Sequence, residues 1–206
     1  PRATTALVNA YLHPILENYL QHIQSKLSKE SSLKVMTSAG SLINVSLFNP
    51  KDSLLSGPAG GVVGAVEIAK RLNIPKILTL DMGGTSTDTS RFDGNYDYNY
   101  ITVVGDAQML SPCFEIETVA AGGGSLCQFN GEKLTVGPES AGAFPGPACY
   151  GVGGDFAITD VNLLLGKLDT SAMGIPIQIE AAKESLNTLQ TAILEIKGQR
   201  MSELEI

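Results

Sequence analysis

The stretch Asp81-Met82-Gly83-Gly84-Thr85-Ser86-Thr87-Asp88 packs two carboxylates, three hydroxyls and two glycines into eight residues. It directly follows an apolar run, Lys76-Ile77-Leu78-Thr79-Leu80, so it is placed where a strand ends. Glycines let the backbone turn tightly and come close to a ligand. Successive N–H groups in such a turn make a concavity for an anion, and the Thr85, Ser86 and Thr87 hydroxyls add donors. Asp81 or Asp88 could hold Mg²⁺ through water, since Mg²⁺ keeps several waters and takes few carboxylates. This is phosphate and metal chemistry, and it points to nucleotide use. The same residues would also suit a hairpin that needs glycine at positive φ, with Asp as a cap.

A second glycine turn, Gly122-Gly123-Gly124-Ser125, also follows a strand. It could line a cleft or form a flexible corner. The common nucleotide fingerprints are missing: no GxxxxGK[ST] occurs, and no GxGxxG opens a helix after a strand. There is no GxSxG nucleophile turn. His13 and His22 lie nine residues apart on one predicted helix, away from ligand spacing, and read as surface residues. Cys113, Cys127 and Cys149 are an odd number without CxxC spacing and read as reduced thiols of a cytoplasmic protein. Cys149 has no histidine near it in sequence to act as its base, so a buried thiol is expected.

The positioning elements follow from periodicity. Thr4 to Leu27 has helical spacing with Leu7, Tyr11, Ile15, Tyr19, Ile23 and Leu27 on one face, and Pro14 should kink it or begin a new helix. Leu33–Thr37 reads as a short strand, and Leu42–Phe48 as a second apolar run before an Asn49-Pro50 turn. A helix of small residues should follow the Gly57-Pro58 turn and run to about Leu72. From Lys76 the pattern is β-rich: a buried strand to Leu80, a strand over Thr85–Phe92, an Asp93-Gly94 hairpin, a return strand over Tyr98–Val104, and a strand over Phe114–Val119. The alternation Tyr96, Tyr98, Tyr100 reads as one strand face. Asn130-Gly131 marks a hairpin between Leu126–Phe129 and Lys133–Val136, and Gly137 to Asp155 reads as an ordered loop. Thr159 is expected to cap a helix through Leu168, with Asp160 in its first turn. A further helix spans Glu180 to about Ile196, with a helical or frayed tail to Ile206.

Composition excludes several classes. With 206 residues, 43% hydrophobic content and mean hydropathy +0.11, the chain can build a core. Lys+Arg 14 against Asp+Glu 21 gives a net charge of −7, which argues against nucleic acid. The same charge repels ATP at long range, so a phosphate site must be built locally. No apolar run is long enough for a membrane-spanning helix. The opening Pro1-Arg2 and the end at Ile206 suggest a piece of a longer polypeptide.

Several strings together resemble the hydantoinase A / 5-oxoprolinase family. They are Arg2 to Leu12, Leu55 to Ala65, Asp81 to Asp88, Ala121 to Ser125, Val136 to Gly151 and Thr159 to Leu168. The resemblance implies an α/β fold, with a mixed sheet, of the actin-like ATPase superfamily: a ribonuclease-H-like lobe with antiparallel hairpins and flanking helices, and an incomplete second lobe. Residues 1–75 would belong to the inter-lobe and first-lobe region, and 76–206 to the lobe carrying the phosphate turn. It further implies ATP and Mg²⁺ as cofactors. Gly83, Gly84, Thr85, Ser86 and Thr87 would lie on the phosphates, Asp81 and Asp88 would be catalytic, and Asp81 would hold Mg²⁺ through water. Gly122, Gly123, Gly124 and Ser125 would be possible cleft-lining residues.

By the same resemblance the chain is a fragment of an ATP-dependent amidohydrolase. Such an enzyme phosphorylates and opens a hydantoin or lactam ring such as 5-oxoproline, often with a hydantoinase B-like partner subunit or domain. The alternatives are the ATP-using subunit of an acetone-carboxylase-like complex and a non-catalytic nucleotide- or partner-binding module. The family's other glycine turn and its adenosine motif do not occur in these residues, so the 206 residues alone are expected to bind ATP weakly or not at all.

Overall fold

The computed structural model describes residues 1–198 and 201–202. They form a mixture of helices and antiparallel hairpins, divided into two compact units. The first comprises Pro1–Asp81 with Asp88–Glu117, and the second Met82–Thr87 with the chain from Thr118 onward.

In the first unit, helix α1 (Arg2–Lys26) runs unbroken through the exposed Pro14. Its anticipated apolar face is turned outward: Leu7, Tyr11, Ile15 and Tyr19 are exposed. The packed side lies one residue further on, at Val8, Leu12, Leu16 and Leu20, which are half-buried. Hydrogen bonds decide this rotation. The Leu110 N–H donates to Thr5 Oγ1 at 2.9 Å, and the Lys51 N–H donates to Asn9 Oδ1 at 3.1 Å. Periodicity could not choose between two adjacent apolar stripes, because polar anchors chose. His13 and His22 are exposed, as expected, with His13 Nε2 3.4 Å from Glu17.

Strands β1 (Lys34–Met36) and β2 (Leu42–Asn44) pair antiparallel with Val35 opposite Ile43. Gly40 closes that hairpin at φ +77, where an added Cβ would strike the Phe114 ring. Helix α2 (Ser56–Arg71) begins before Pro58 rather than after it. Pro58 falls in the first turn, where a missing N–H costs no hydrogen bond. Ala59, Val62 and Val66 of α2 pack with Phe92 and Phe114 into the unit's core, joined by Ile77, Tyr96 and Ile116. Tyr96 stacks on Phe114 with centroids 4.6 Å apart, and so belongs to the core rather than to an alternating strand face.

Strand β3 (Ile77–Met82), expected to be buried, is half-buried on one side only: Ile77 packs on the core, while Leu78 and Leu80 are exposed. It turns into β4 (Thr87–Phe92). The Asp93-Gly94 turn does not lead into the expected β4 hairpin; only a Phe92–Tyr96 bridge forms there. Instead β5 (Tyr98–Val104) pairs with β6 (Ala107–Phe114) across Gly105, which sits at φ +56. Sequence reading missed β6 because its inward residues, Met109, Ser111 and Cys113, are of mixed polarity. Ser111 is buried yet satisfied, donating to Asp52 Oδ1 at 2.9 Å. The short β7 (Glu117–Val119) completes a three-stranded sheet in the order β3-β4-β7.

In the second unit, β8 (Ser125–Phe129) and β9 (Leu134–Ser140) form the Asn130-Gly131 hairpin. Asn130 Oδ1 accepts from the Glu132 and Lys133 N–H groups, and Gly131 adopts φ +92. Strand β9 continues to Ser140, past the expected start of the loop. Helix α3 spans Ile158–Leu164, capped at Ala157 rather than Thr159 and shorter than anticipated. Helix α4 (Ile179–Lys197) buries Ala182, Leu186, Gln190 and Ile193 at helical spacing. Cys149, Leu163 and Ala182 centre this unit's core. The expected tail structure at 199–200 and 203–206 lies outside the described residues. Among the described residues no helix is long and apolar enough to cross a membrane.

Candidate functional site

The sequence-marked turn occupies the second unit between β3 and β4. The Gly83 N–H donates to the Ser86 carbonyl at 2.9 Å and closes it. Neither Gly83 nor Gly84 adopts positive φ, so a left-handed backbone is not why glycine stands here. A Cβ added at Gly84 would have no atom within 4 Å. Neither dihedral strain nor protein packing therefore accounts for Gly84, and the space over it is open to a ligand.

The second glycine turn is built against the first. The Gly123 N–H donates to the Gly83 carbonyl at 3.0 Å, and the Gly124 N–H to the Gly84 carbonyl at 2.6 Å. Here glycine is required by close approach: a Cβ at Gly122 would lie 2.5 Å from the Gly84 oxygen, and one at Gly124 2.9 Å from it. The Gly122 N–H is held by Ser125 Oγ at 2.9 Å. The N–H groups of Gly122, Gly123 and Gly124 are thus spent within the protein, and this turn acts as a buttress.

That buttress aims the first turn. In a trans peptide the C=O and N–H of one plane point in opposite directions. The Gly83 carbonyl shares its plane with the Gly84 N–H, and the Gly84 carbonyl shares its plane with the Thr85 N–H. With both carbonyls bonded to Gly123 and Gly124, the Gly84 and Thr85 N–H groups face away from the buttress. Neither has a hydrogen-bond partner among the described residues, nor do the Thr85 and Ser86 hydroxyls. The Thr87 hydroxyl is committed, donating to the Ala121 carbonyl at 2.6 Å. Two adjacent N–H groups with two hydroxyls beside them are donors of the kind an anion accepts.

In the first unit, Asp81 and Asp88 both line a groove of about 360 Å³ between α2 and the β3–β4 strands, with Pro58, Gly61, Val62 and Ala65 on its helical wall. A Cβ at Gly61 would lie 3.4 Å from Asp81 Oδ2. The Asp81 side chain has no hydrogen bond or ion pair among the described residues. Among those residues no three His, Cys, Asp or Glu side chains gather as a metal cage.

One buried carboxylate went unnoticed as such in the sequence. Asp160 is fully buried and accepts from the Cys149 N–H at 2.7 Å, the Ala157 N–H at 2.8 Å and the Ala148 N–H at 3.1 Å. Its place in the first turn of α3 was legible in the sequence; its bonds to the Ala157 cap N–H and to 148–149 were not. Burial pushes the Cys149 thiol up to about 12, helped by its hydrogen bond to Asp160 and that residue's charge. Burial, then the charge of Asp160, lifts Cys127 to about 11. Thiols held this high are poor nucleophiles at neutral pH.

The sequence profile of the family described as Hydantoinase/oxoprolinase matches residues 2–203. The chain is 46% identical over 174 residues to the 5-oxoprolinase PfmaA of Pestalotiopsis fici, covering 83% of this chain and 14% of that one. It is 32% identical over 206 residues to caprolactamase subunit alpha of Pseudomonas jessenii, covering 96% of this chain and 30% of that protein. The crystal structure of the ATP-dependent caprolactamase from that organism superposes with a TM-score of 0.67 at 30% identity, over 94% of this chain and 31% of that chain. The nucleotide-free structure of acetone carboxylase superposes with a TM-score of 0.71 over 82% of this chain and 24% of that chain; at 23% identity this is a likeness of fold. The chain therefore spans about one seventh of the length of its 5-oxoprolinase relative.

Proposed function

Because the chain belongs to the hydantoinase/oxoprolinase family, we propose that it is the phosphate-holding part of an ATP-dependent hydrolase that opens a cyclic amide such as 5-oxoproline. The observation that carries this reading is the outward-facing, unspent donor pair at Gly84 and Thr85, under open space where a Cβ would have room. Those N–H groups, with the Thr85 and Ser86 hydroxyls, would hold phosphate oxygens. Asp81, unpartnered in its groove, would hold Mg²⁺ through water, with Asp88 beside it. A site with two carboxylates suits Mg²⁺, which completes its shell with water and phosphate.

The chemistry needs such a site. An amide resists hydrolysis because resonance stabilises its C–N bond. ATP, when bound, supplies the phosphoryl group that makes the carbonyl carbon a better electrophile. The protein's contribution to phosphoryl transfer is positioning and neutralisation of charge, which fixed N–H groups and hydroxyls provide. The fold is read as one actin-like lobe, residues 76–206, with part of a second. The caprolactamase relative is named as a subunit alpha, which supports a partner subunit or domain that completes ring hydrolysis.

The test is the full-length protein with MgATP and a panel of lactams and hydantoins. Lactam-dependent ADP release with ring opening is the expected result. Bicarbonate-dependent turnover of a ketone, or nucleotide binding without turnover, would replace this reading with a carboxylase or a binding module.

Two glycines of α2 separate the role of Asp81 from helix stability. Alanine at Gly61 or Gly64 should each add about 0.5–1 kcal/mol of helix stability. Only Gly61→Ala brings a methyl into van der Waals contact with Asp81 Oδ2, since a Cβ at Gly64 meets nothing within 4 Å. Gly61→Ala, which displaces water beside that carboxylate, is therefore expected to raise the Mg²⁺ concentration for half-maximal turnover about twofold, and Gly64→Ala to leave it unchanged. Equal behaviour of the two would remove Asp81 from the metal role.

A further inference from the structure

We propose that Thr159 is a positioning residue for the phosphate turn, acting through the Gly123–Gly124 peptide; this rests on the reading of Gly83–Thr87 as the phosphate site. Thr159 is the second residue of α3. Its N–H donates to the Gly123 carbonyl at 2.7 Å and its hydroxyl donates to the same oxygen at 2.8 Å. One residue thus fills both acceptor positions of that carbonyl.

The Gly123 carbonyl and the Gly124 N–H belong to one planar peptide. That N–H is the donor to the Gly84 carbonyl at 2.6 Å, and the Gly84 carbonyl shares its plane with the outward Thr85 N–H. Two hydrogen bonds and two planar peptides therefore connect the Thr159 hydroxyl to a proposed phosphate donor. Donation at the Gly123 oxygen also polarises its peptide and strengthens the bond to Gly84. The anchor itself is firm: the next residue, Asp160, is fully buried and fastened to three backbone N–H groups. Space is matched as well, because a Cβ at Gly123 would lie 3.0 Å from Thr159 Oγ1.

A residue that only staples α3 would affect melting alone. A positioning residue should affect nucleotide. In the full-length protein, Thr159→Val keeps the branched shape and the N–H bond but removes the hydroxyl donor. It is expected to weaken MgATP binding about fivefold and to speed hydrogen exchange of the Gly124 amide. Thr159→Ser should stay within about twofold of wild type by restoring the donor. Gly84→Ala serves as the reference, because its methyl enters the open space over the turn and should weaken MgATP binding whatever Thr159 does. If Gly84→Ala weakens binding and Thr159→Val lowers only the melting temperature, the positioning role is overturned and the phosphate turn stands. If Gly84→Ala leaves MgATP affinity unchanged, the phosphate turn falls and the role of Thr159 falls with it.

Discussion

Asp81→Ala, made in the full-length protein, is expected to reduce ATP-driven turnover by on the order of 10²–10³ while the melting temperature stays near wild type. Both halves come from the same observation. The carboxylate is exposed at the end of β3 and has no hydrogen bond or ion pair among the described residues. Its loss therefore orphans no buried partner, and an exposed side chain of this kind contributes within about 0.5 kcal/mol to stability. A charge kept unpaired in a groove lined with small helical residues is useful only to something that enters the groove. Steady-state turnover with thermal melting on the same preparation checks the pair. Normal turnover would remove Asp81 from the site, and a collapsed melting temperature would make it a structural residue.

Asp160→Ala should do the reverse. It leaves the buried N–H groups of Cys149 and Ala157 without an acceptor and the Ala148 N–H with the Asp155 carbonyl alone. The expected cost is roughly 3–5 kcal/mol, the range for breaking a buried charged network. Because the full-length protein need not unfold in one step, the sharper measurement is hydrogen exchange. The amides of Cys149 and Ala157 should exchange much faster in Asp160→Ala, and that of Ala148, which keeps the Asp155 carbonyl, less so. Asp160→Asn should fall between, since its amide offers one oxygen and turns an NH₂ donor toward remaining donors. Protection of all three amides at the wild-type level would show that the carboxylate is not their anchor.

These two aspartates show what the sequence disclosed and what it did not. Asp81 stood out because its neighbours are glycines and hydroxyls within eight residues, a local pattern. Asp160 did not, because its partners lie 11 and 12 residues earlier and are backbone groups. The hairpin at Asn130-Gly131 was legible from turn chemistry. The β5–β6 hairpin was not, since Gly105-Asp106 joins a strand whose inward face includes Ser111. The orientation of α1 was hidden for a related reason: two polar residues, Thr5 and Asn9, fix which of two adjacent stripes packs. The two glycine turns were each visible. That one serves as the backbone support of the other depends on hydrogen bonds between residues about 40 apart in the chain, which spacing cannot reveal.

The supporting role of the second turn also explains why the composition of the two differs. Gly122 and Gly124 are glycine because the Gly84 carbonyl lies against them; Gly84 is glycine although a Cβ there would meet nothing within 4 Å. The first is a packing requirement that any fold could impose. The second fits the proposed function, in which the space over Gly84 receives phosphate.

The most direct test of the account is the ratio of ADP released to rings opened when the full-length protein turns over 5-oxoproline or another cyclic amide with MgATP. The account predicts about one ADP for each ring, since one phosphoryl group activates one carbonyl, and no ring opening without ATP. Ring opening that proceeds without nucleotide, or ADP release that no cyclic amide stimulates, would contradict it.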